Sequence, residues 1–205
     1  MATRTVQIPA SRLPRWIDGF AERHGGSTAA LTSGVLKLTG ADTAVATLHP
    51  AFPIDVRSVD DFIAAAARIP RCAFLAVRRG GFLAAIAEGT EVTTGDAGKR
   101  HVQGRTAAGG WSQQRFARRR DKQVHELLDA AISYAVRVIL PGLPVEFLAT
   151  GGDRALVEEA LKDQRLRALS ALTRGLHLPM TDPRRSTLRE LPELLTAVRI
   201  DLVDP

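Results

Sequence analysis

The stretch Lys99–Lys122, KRHVQGRTAAGGWSQQRFARRRDK, holds eight Lys and Arg (Lys99, Arg100, Arg105, Arg115, Arg118, Arg119, Arg120, Lys122) against one acid, Asp121. That local excess of seven is larger than the +6 of the whole 205-residue chain, so all other residues together sum to −1. The same segment sets the architecture. An extended piece, roughly 99–104, meets a loop of small residues, Ala107-Ala108-Gly109-Gly110, and then the longest helix, from Ser112 to about Ile139. Phe116, Val124, Leu127, Leu128, Ala131, Ala135 and Val138 share one stripe of that helix. Arg115, Arg118, Arg119 and Lys122, spaced i, i+3, i+4, i+7, share another. A near-neutral globule with its positive charge on one loop and helix start is suited to meet a polyanion at a single place.

Upstream, CAFLAVRRGGFLAAIAEGTEV predicts a hairpin turning at Arg79-Gly80-Gly81. Its almost continuously apolar arms fit central strands buried on both faces. Ser58 and Asp61 make a capping-box-like start for the helix DDFIAAAARI, which Pro70 stops. Residues 28–48 alternate apolar and polar around turns at Ser33-Gly34 and Gly40-Ala41-Asp42, the pattern of an antiparallel meander. Ser11 is placed to cap a first helix through about Glu22, ended by Gly25-Gly26. Downstream, Pro141-Gly142 ends the long helix, PVEFLAT reads as a strand, and Asp153 is placed to N-cap a helix over 153–163. A helix over 186–196 and a last strand, AVRIDLV, follow. The order predicts an α/β fold, a mixed β-sheet packed with helices. It reads as one domain over 1–205, allowing a small N-terminal extension over 1–26.

Hydrophobic residues make up 45% of the chain and charged residues 24%, the balance of an ordinary soluble protein. The single cysteine, Cys72, lies in the run CAFLAV; it has no internal disulfide partner and reads as an inert, buried strand residue. A reducing, cytoplasmic location is expected. There is no apolar leader segment and no run of 18 apolar residues, so neither secretion nor a membrane partner is expected. The histidines His24, His49, His101, His125 and His177 lie far apart without CxxC or HExxH spacing. No metal is therefore expected, and each histidine reads as a surface residue. No GxGxxG or GxxxxGK[ST] is present, so no nucleotide cofactor is expected. Ser-His-Asp catalysis lacks its GxSxG elbow.

The 104–123 segment is left to carry chemistry. Glycines at 109 and 110 let backbone N–H groups approach a ligand that a β-carbon would exclude. Ser112, Gln113 and Gln114 open a helix whose unpaired N–H groups and dipole favour an anion or a developing oxyanion. Glutamine is a poor base near neutral pH, but its carbonyl can orient a water while its amide donates. Arg115, Arg118, Arg119 and Lys122 can grip phosphates, which gives affinity and position rather than sequence reading. Trp111 can stack on a base or wedge into a core. The residues alone leave three readings open: a structural loop beside a solvated cationic face, a nucleic-acid contact, and a catalytic loop.

The run Gly109-Gly110-Trp111-Ser112-Gln113-Gln114-Arg115-Phe116-Ala117-Arg118-Arg119-Arg120 resembles the Vms-like release factor family, in its actinobacterial branch of Vms-like peptidyl-tRNA hydrolases. That family is related to the middle domain of the eukaryotic and archaeal class-1 peptide-chain release factors. The resemblance implies a ribonuclease H-like mixed sheet with a catalytic loop before a long helix. It also implies that Gly109, Gly110 and Gln113 or Gln114 match the Gly-Gly-Gln tripeptide that helps water attack the peptidyl-tRNA ester. Here Trp111 and Ser112 stand between the glycines and the first glutamine. Arg105, Trp111, Ser112, Arg115, Arg118, Arg119 and Lys122 are the corresponding candidates for RNA contact. The implied partners are the large ribosomal subunit, at its peptidyl transferase centre, and peptidyl-tRNA. The length leaves no room for a codon-reading module, so release is expected to be codon independent, as in ribosome rescue or quality control. Three rivals remain: a nuclease acting near the tRNA CCA end, a non-enzymatic RNA- or ribosome-binding adaptor, and an α/β domain whose basic helix contacts an acidic protein. The oligomeric state is left open.

Overall fold

The computed structural model of the chain describes residues 3–100 and 111–205; in the long helix it describes side chains from Arg118 onward. The chain begins with β1 (Thr3–Pro9), α1 (Leu13–Arg23), β2 (Ser27–Thr32), β3 (Val35–Gly40), β4 (Val45–His49) and α2 (Val59–Ala66). There follow β5 (Ile69–Arg78), β6 (Gly81–Gly89), β7 (Glu91–Lys99) and the long α3 (Trp111–Val138). Next come β8 (Phe147–Gly152), α4 (Arg154–Leu161), α5 (Arg167–Ser170) and β9 (Thr173–Leu178). The last elements are α6 (Thr187–Leu195) and β10 (Ala197–Val203). Residues 1–69 and 192–205 form one compact unit and residues 70–191 a second.

In the first unit the strands lie in the order β1-β10-β4-β3-β2, and every paired neighbour is antiparallel. Alternation puts Leu36 and Leu38, Ala46 and Leu48, and Val198 and Ile200 on one face. The register sets Leu36 opposite Leu48 and Ile200 opposite Leu48, so this face is continuous across three strands. Leu13 and Phe20 of α1, with Phe62 and Ala66 of α2, complete that core. Trp16 stacks on Phe20 at 5.7 Å. The Ser58 hydroxyl accepts from the Asp61 N–H (3.1 Å), so the expected cap of α2 is present. The helix stops at Ala66, short of Pro70, which instead sits at the start of β5 where a missing N–H is tolerated. Ser11 does not cap α1. It lies in a single 3-10 turn, Ala10–Arg12, and Arg12 precedes a helix whose first turn holds Pro14, the residue best suited to an unpaired N–H.

In the second unit the order is β7-β6-β5-β8-β9. β7 runs antiparallel to β6, while β8 and β9 run parallel to β5. Renumbered within the unit this is 3-2-1-4-5, a mixed sheet as expected. Cys72–Val77 and Gly81–Ala87 are buried throughout, as their unbroken apolar runs require. Ala73, Leu75 and Val77 of β5 and Phe82, Ala84 and Ile86 of β6 pack on α3, α4 and the turn at Leu166. The opposite set includes Cys72, whose thiol is pushed up to about 12 by burial and then by nearby Glu146. It is an inert strand residue.

The third strand of this sheet is β7, over 91–99, not 99–104. Gly89, at φ 67°, turns the chain back after Glu88, so the residues read as the hairpin's tail begin a new strand with Glu88 opposite Glu91. Residues 101–104 lie outside the described residues. β8 begins at Phe147 rather than Pro144. Asp153 caps α4 as expected, accepting from Ala155 and Leu156 N–H (3.0 and 3.4 Å). β1 and β9 were not anticipated; each is an edge strand of its sheet or next to a partner remote in sequence.

Gly152, where β8 gives way to α4, is held at φ 85°, and a β-carbon there would collide with the Val77 carbonyl oxygen. Gly152→Ala should therefore lower unfolding stability by about 2 kcal/mol, the scale of one strained backbone site. The check is the urea midpoint, with the slope unchanged.

Candidate nucleic-acid interface

The candidate residues sit where β7 hands the chain to α3. Strand β7 ends at Lys99 and the helix begins at Trp111, one residue ahead of the expected start. Arg105, Gly109 and Gly110 lie outside the described residues. So do the side chains of Trp111, Ser112, Gln113, Gln114, Arg115 and Phe116. The backbone of α3 nevertheless begins early enough to place Gln113 and Gln114 in its first turn, among the residues whose N–H groups have no helical partner.

What holds α3 is its later part. Leu127, Leu128, Ala131, Ile132, Ala135 and Ile139 are buried against the sheet. Tyr134 meets Phe82 of β6 edge-on at 4.8 Å. The Arg137 guanidinium lies over the Tyr134 ring at 4.3 Å and pairs with Asp96 of β7 at 2.9 Å. Among the described residues ahead of Leu127, only Val124 packs against this core, and only partly. The helix axis from Trp111 to Leu127 spans roughly 24 Å at 1.5 Å per residue. We call this stretch of the helix, ahead of Leu127, its arm.

Arg118, Arg119 and Lys122 are exposed on that arm, while Arg120, one residue off the stripe, is half-buried. None of the four has an ion pair among the described residues. Some cations elsewhere in the unit are paired: Arg71 with Glu88, Arg137 with Asp96, Arg165 with Asp129 and Asp163, and Arg174 with Glu158.

Three of the histidines expected at the surface are half-buried and partnered. His24 meets Asp42 at 2.8 Å and His49 meets Asp201 at 3.2 Å. His177 bridges β8 and β9: its Nε2 donates to the Gly152 carbonyl (3.3 Å), and its Nδ1 accepts from the Thr150 hydroxyl (2.8 Å). Burial, and then the charge of Arg154, hold its pKa below the ordinary histidine value, which keeps the ring neutral in this role. No sequence signal marked it, because its partners come from another strand. Among the described residues no helix is long and apolar enough to cross a membrane.

A mixed sheet that gives way at β7 to a long cationic helix is the arrangement the resemblance implies. A model of the actinobacterial and chloroflexi VLRF1 release factor family matches residues 70–201. The chain belongs to that family. No curated protein matches it. Among solved structures it is similar to an archaeal translation termination factor, aRF1, at 12% identity and a TM-score of 0.39, over 92% of this chain and 62% of that one. It is also similar to Archaeoglobus fulgidus Pelota, at 11% identity and a TM-score of 0.29, over 82% of this chain and 51% of that one. The chain thus spans less than two thirds of the length of either.

The division of α3 into a buried anchor and an exposed arm predicts opposite responses to truncation. Leu127→Ala should cost about 2–5 kcal/mol of unfolding free energy. The Arg118→Ala/Arg119→Ala double variant should stay within about 0.5 kcal/mol of wild type. Chemical denaturation of the two variants decides it.

Proposed function

We propose that the protein hydrolyses the ester joining a nascent peptide to the 3′ end of its tRNA, on a stalled ribosome or large subunit, without reading a stop codon. One observation carries this reading. Gly109-Gly110 and the Gln113-Gln114 pair fall at the junction of β7 and α3 in a chain that belongs to a release factor family.

The chemistry asks little of the protein itself. The glycine backbone approaches the terminal adenosine closely, where a side chain would not fit. Gln113 or Gln114 orients a water toward the ester carbonyl, accepting from it through the amide oxygen. The water oxygen bonds to the carbonyl carbon, the bond to the ribose oxygen breaks, and the water's proton ends on that oxygen. The N–H groups and dipole at the start of α3 favour the intermediate oxyanion. Ribosomal RNA and the tRNA ribose complete the site, so the chain needs no acid–base pair of its own. Arg115, Arg118, Arg119 and Lys122 hold RNA phosphates, with Arg105, Trp111 and Ser112 beside the tRNA end. Such a task suits a cytoplasmic rescue or quality-control factor.

Purified protein incubated with stalled ribosome–nascent-chain complexes should free the peptide and leave the tRNA intact. Shortened tRNA would mean phosphodiester cleavage, and binding without release would mean an adaptor. The Gln113→Ala/Gln114→Ala double variant should bind normally yet release peptide about 10²-fold more slowly in a single turnover, the scale of one lost transition-state hydrogen bond. Gly109→Ala or Gly110→Ala should abolish release with little change in melting temperature. Wild-type release by the double glutamine variant would overturn the assignment.

A further inference from the structure

A second cluster of cations, separate from the α3 arm, gathers where β5 ends. Arg78 ends β5, and Arg79 opens the turn into β6. Gly81, just past that turn, lies opposite Lys99, and the Arg100 N–H donates to the Gly80 carbonyl at 3.1 Å. On the other side of β5, Val77 lies opposite Gly152, and the Asp153 N–H donates to the Val77 carbonyl at 2.8 Å, which brings Arg154 to the same corner. The segment before α6 closes the ring. Arg78 Nη1 donates to the Met180 carbonyl at 3.5 Å. A β-carbon on Gly81 would meet the Pro183 carbonyl oxygen at 2.8 Å, so Arg185, two residues on, stands nearby.

Arg78, Arg79, Lys99, Arg100, Arg154 and Arg185 are all exposed, and none has an ion pair among the described residues. The acids of this corner are otherwise engaged: Asp153 caps α4, and Asp182 pairs with Arg184 at 3.5 Å. We infer that this corner of the second unit is a second RNA-binding surface, one that grips the phosphate backbone independently of the Gly109–Lys122 loop and arm.

Two features favour RNA over an acidic protein. The large apolar residues described at this end, Val77, Leu178 and Met180, are buried, so among the described residues the corner offers no large apolar anchor of the kind on which protein interfaces depend. A polar, strongly positive surface is instead typical of nucleic-acid contact. The inference does not rest on ester hydrolysis. A protein that binds RNA here but releases no peptide would overturn the proposed function and leave this surface standing.

The test is binding of the full chain to a short fluorescein-labelled RNA duplex of mixed sequence, across a salt series. The R79A/R154A/R185A variant should bind about tenfold or more weakly near 0.1 M salt, and its log–log salt slope should shrink by up to about three. The charge-keeping R79K/R154K/R185K variant should retain most of that slope. Combining the alanine changes with R118A/R119A should weaken binding further than either set alone. A second measurement uses the folded wild-type protein only: bound duplex should protect Arg79 and Arg154 from phenylglyoxal. No binding by wild type, an unchanged slope in the alanine variant, or absence of protection overturns the inference. So does selective loss of polyglutamate binding with RNA binding intact, which would assign the corner to an acidic protein.

Discussion

The basic end of the second unit depends on how α3 is held against β6 and β7. Taken alone, the opening of this helix is poorly stable. Its cations repel at i, i+3 and i, i+4 spacing, each pair costing about 0.2–0.5 kcal/mol, and a helix start without packing is marginal in water. The buried half offsets this. Leu127, Leu128, Ile132 and Ile139 each contribute about 1.5–3 kcal/mol of apolar burial. The Phe82–Tyr134–Arg137–Asp96 chain of contacts fixes the rotation of the helix on the sheet. Rotation matters because it sets the direction in which Arg118, Arg119 and Lys122 point. A helix slipped by one residue would turn that stripe by about 100°.

The distribution of ion pairs has a matching logic. Exposed pairs such as Arg165–Asp129 or Lys162–Glu159 add little to stability, because water screens them. Their larger effect is on the local field: each sets an acid beside a cation, whereas Arg118, Arg119 and Lys122 on the arm and Arg79, Arg154 and Arg185 at the end of β5 have no ion pair among the described residues. Unbalanced charge of one sign gathered in one place is what steers a polyanion during its approach.

Much of the fold was legible because its signals are local. The Ser58 and Asp153 caps, the amphipathic stripe of α3, the two-sided burial of β5 and β6, and the strand AVRIDLV each lie within a few consecutive residues. What escaped depends on partners far along the chain. β1 is a strand because β10 pairs with it, Val6 opposite Ile200; its own alternation is short and mostly exposed. β9 carries Gly175 and few apolar residues, and is held by its register with β8. β7 was displaced because a single positive-φ glycine decides where the hairpin ends. At the candidate site, the charge of 99–122 and the glycine–glutamine order were visible as sequence. The corner of Arg79, Arg154 and Arg185 was not, since only the folded sheet gathers residues so far apart.

The order of strands in the first unit has a consequence for the making of the protein. Its sheet is completed by β10, which lies between β1 and β4, although all of residues 70–191 separate β10 from the other four strands. During synthesis the second unit emerges as one uninterrupted piece and can close its own sheet first. The first unit must wait with the backbone edges of β1 and β4 open until β10 is translated. Those edges are then exposed longest in the nascent chain, so mispairing and aggregation during synthesis fall on the first unit while the inserted, cation-bearing unit is already folded.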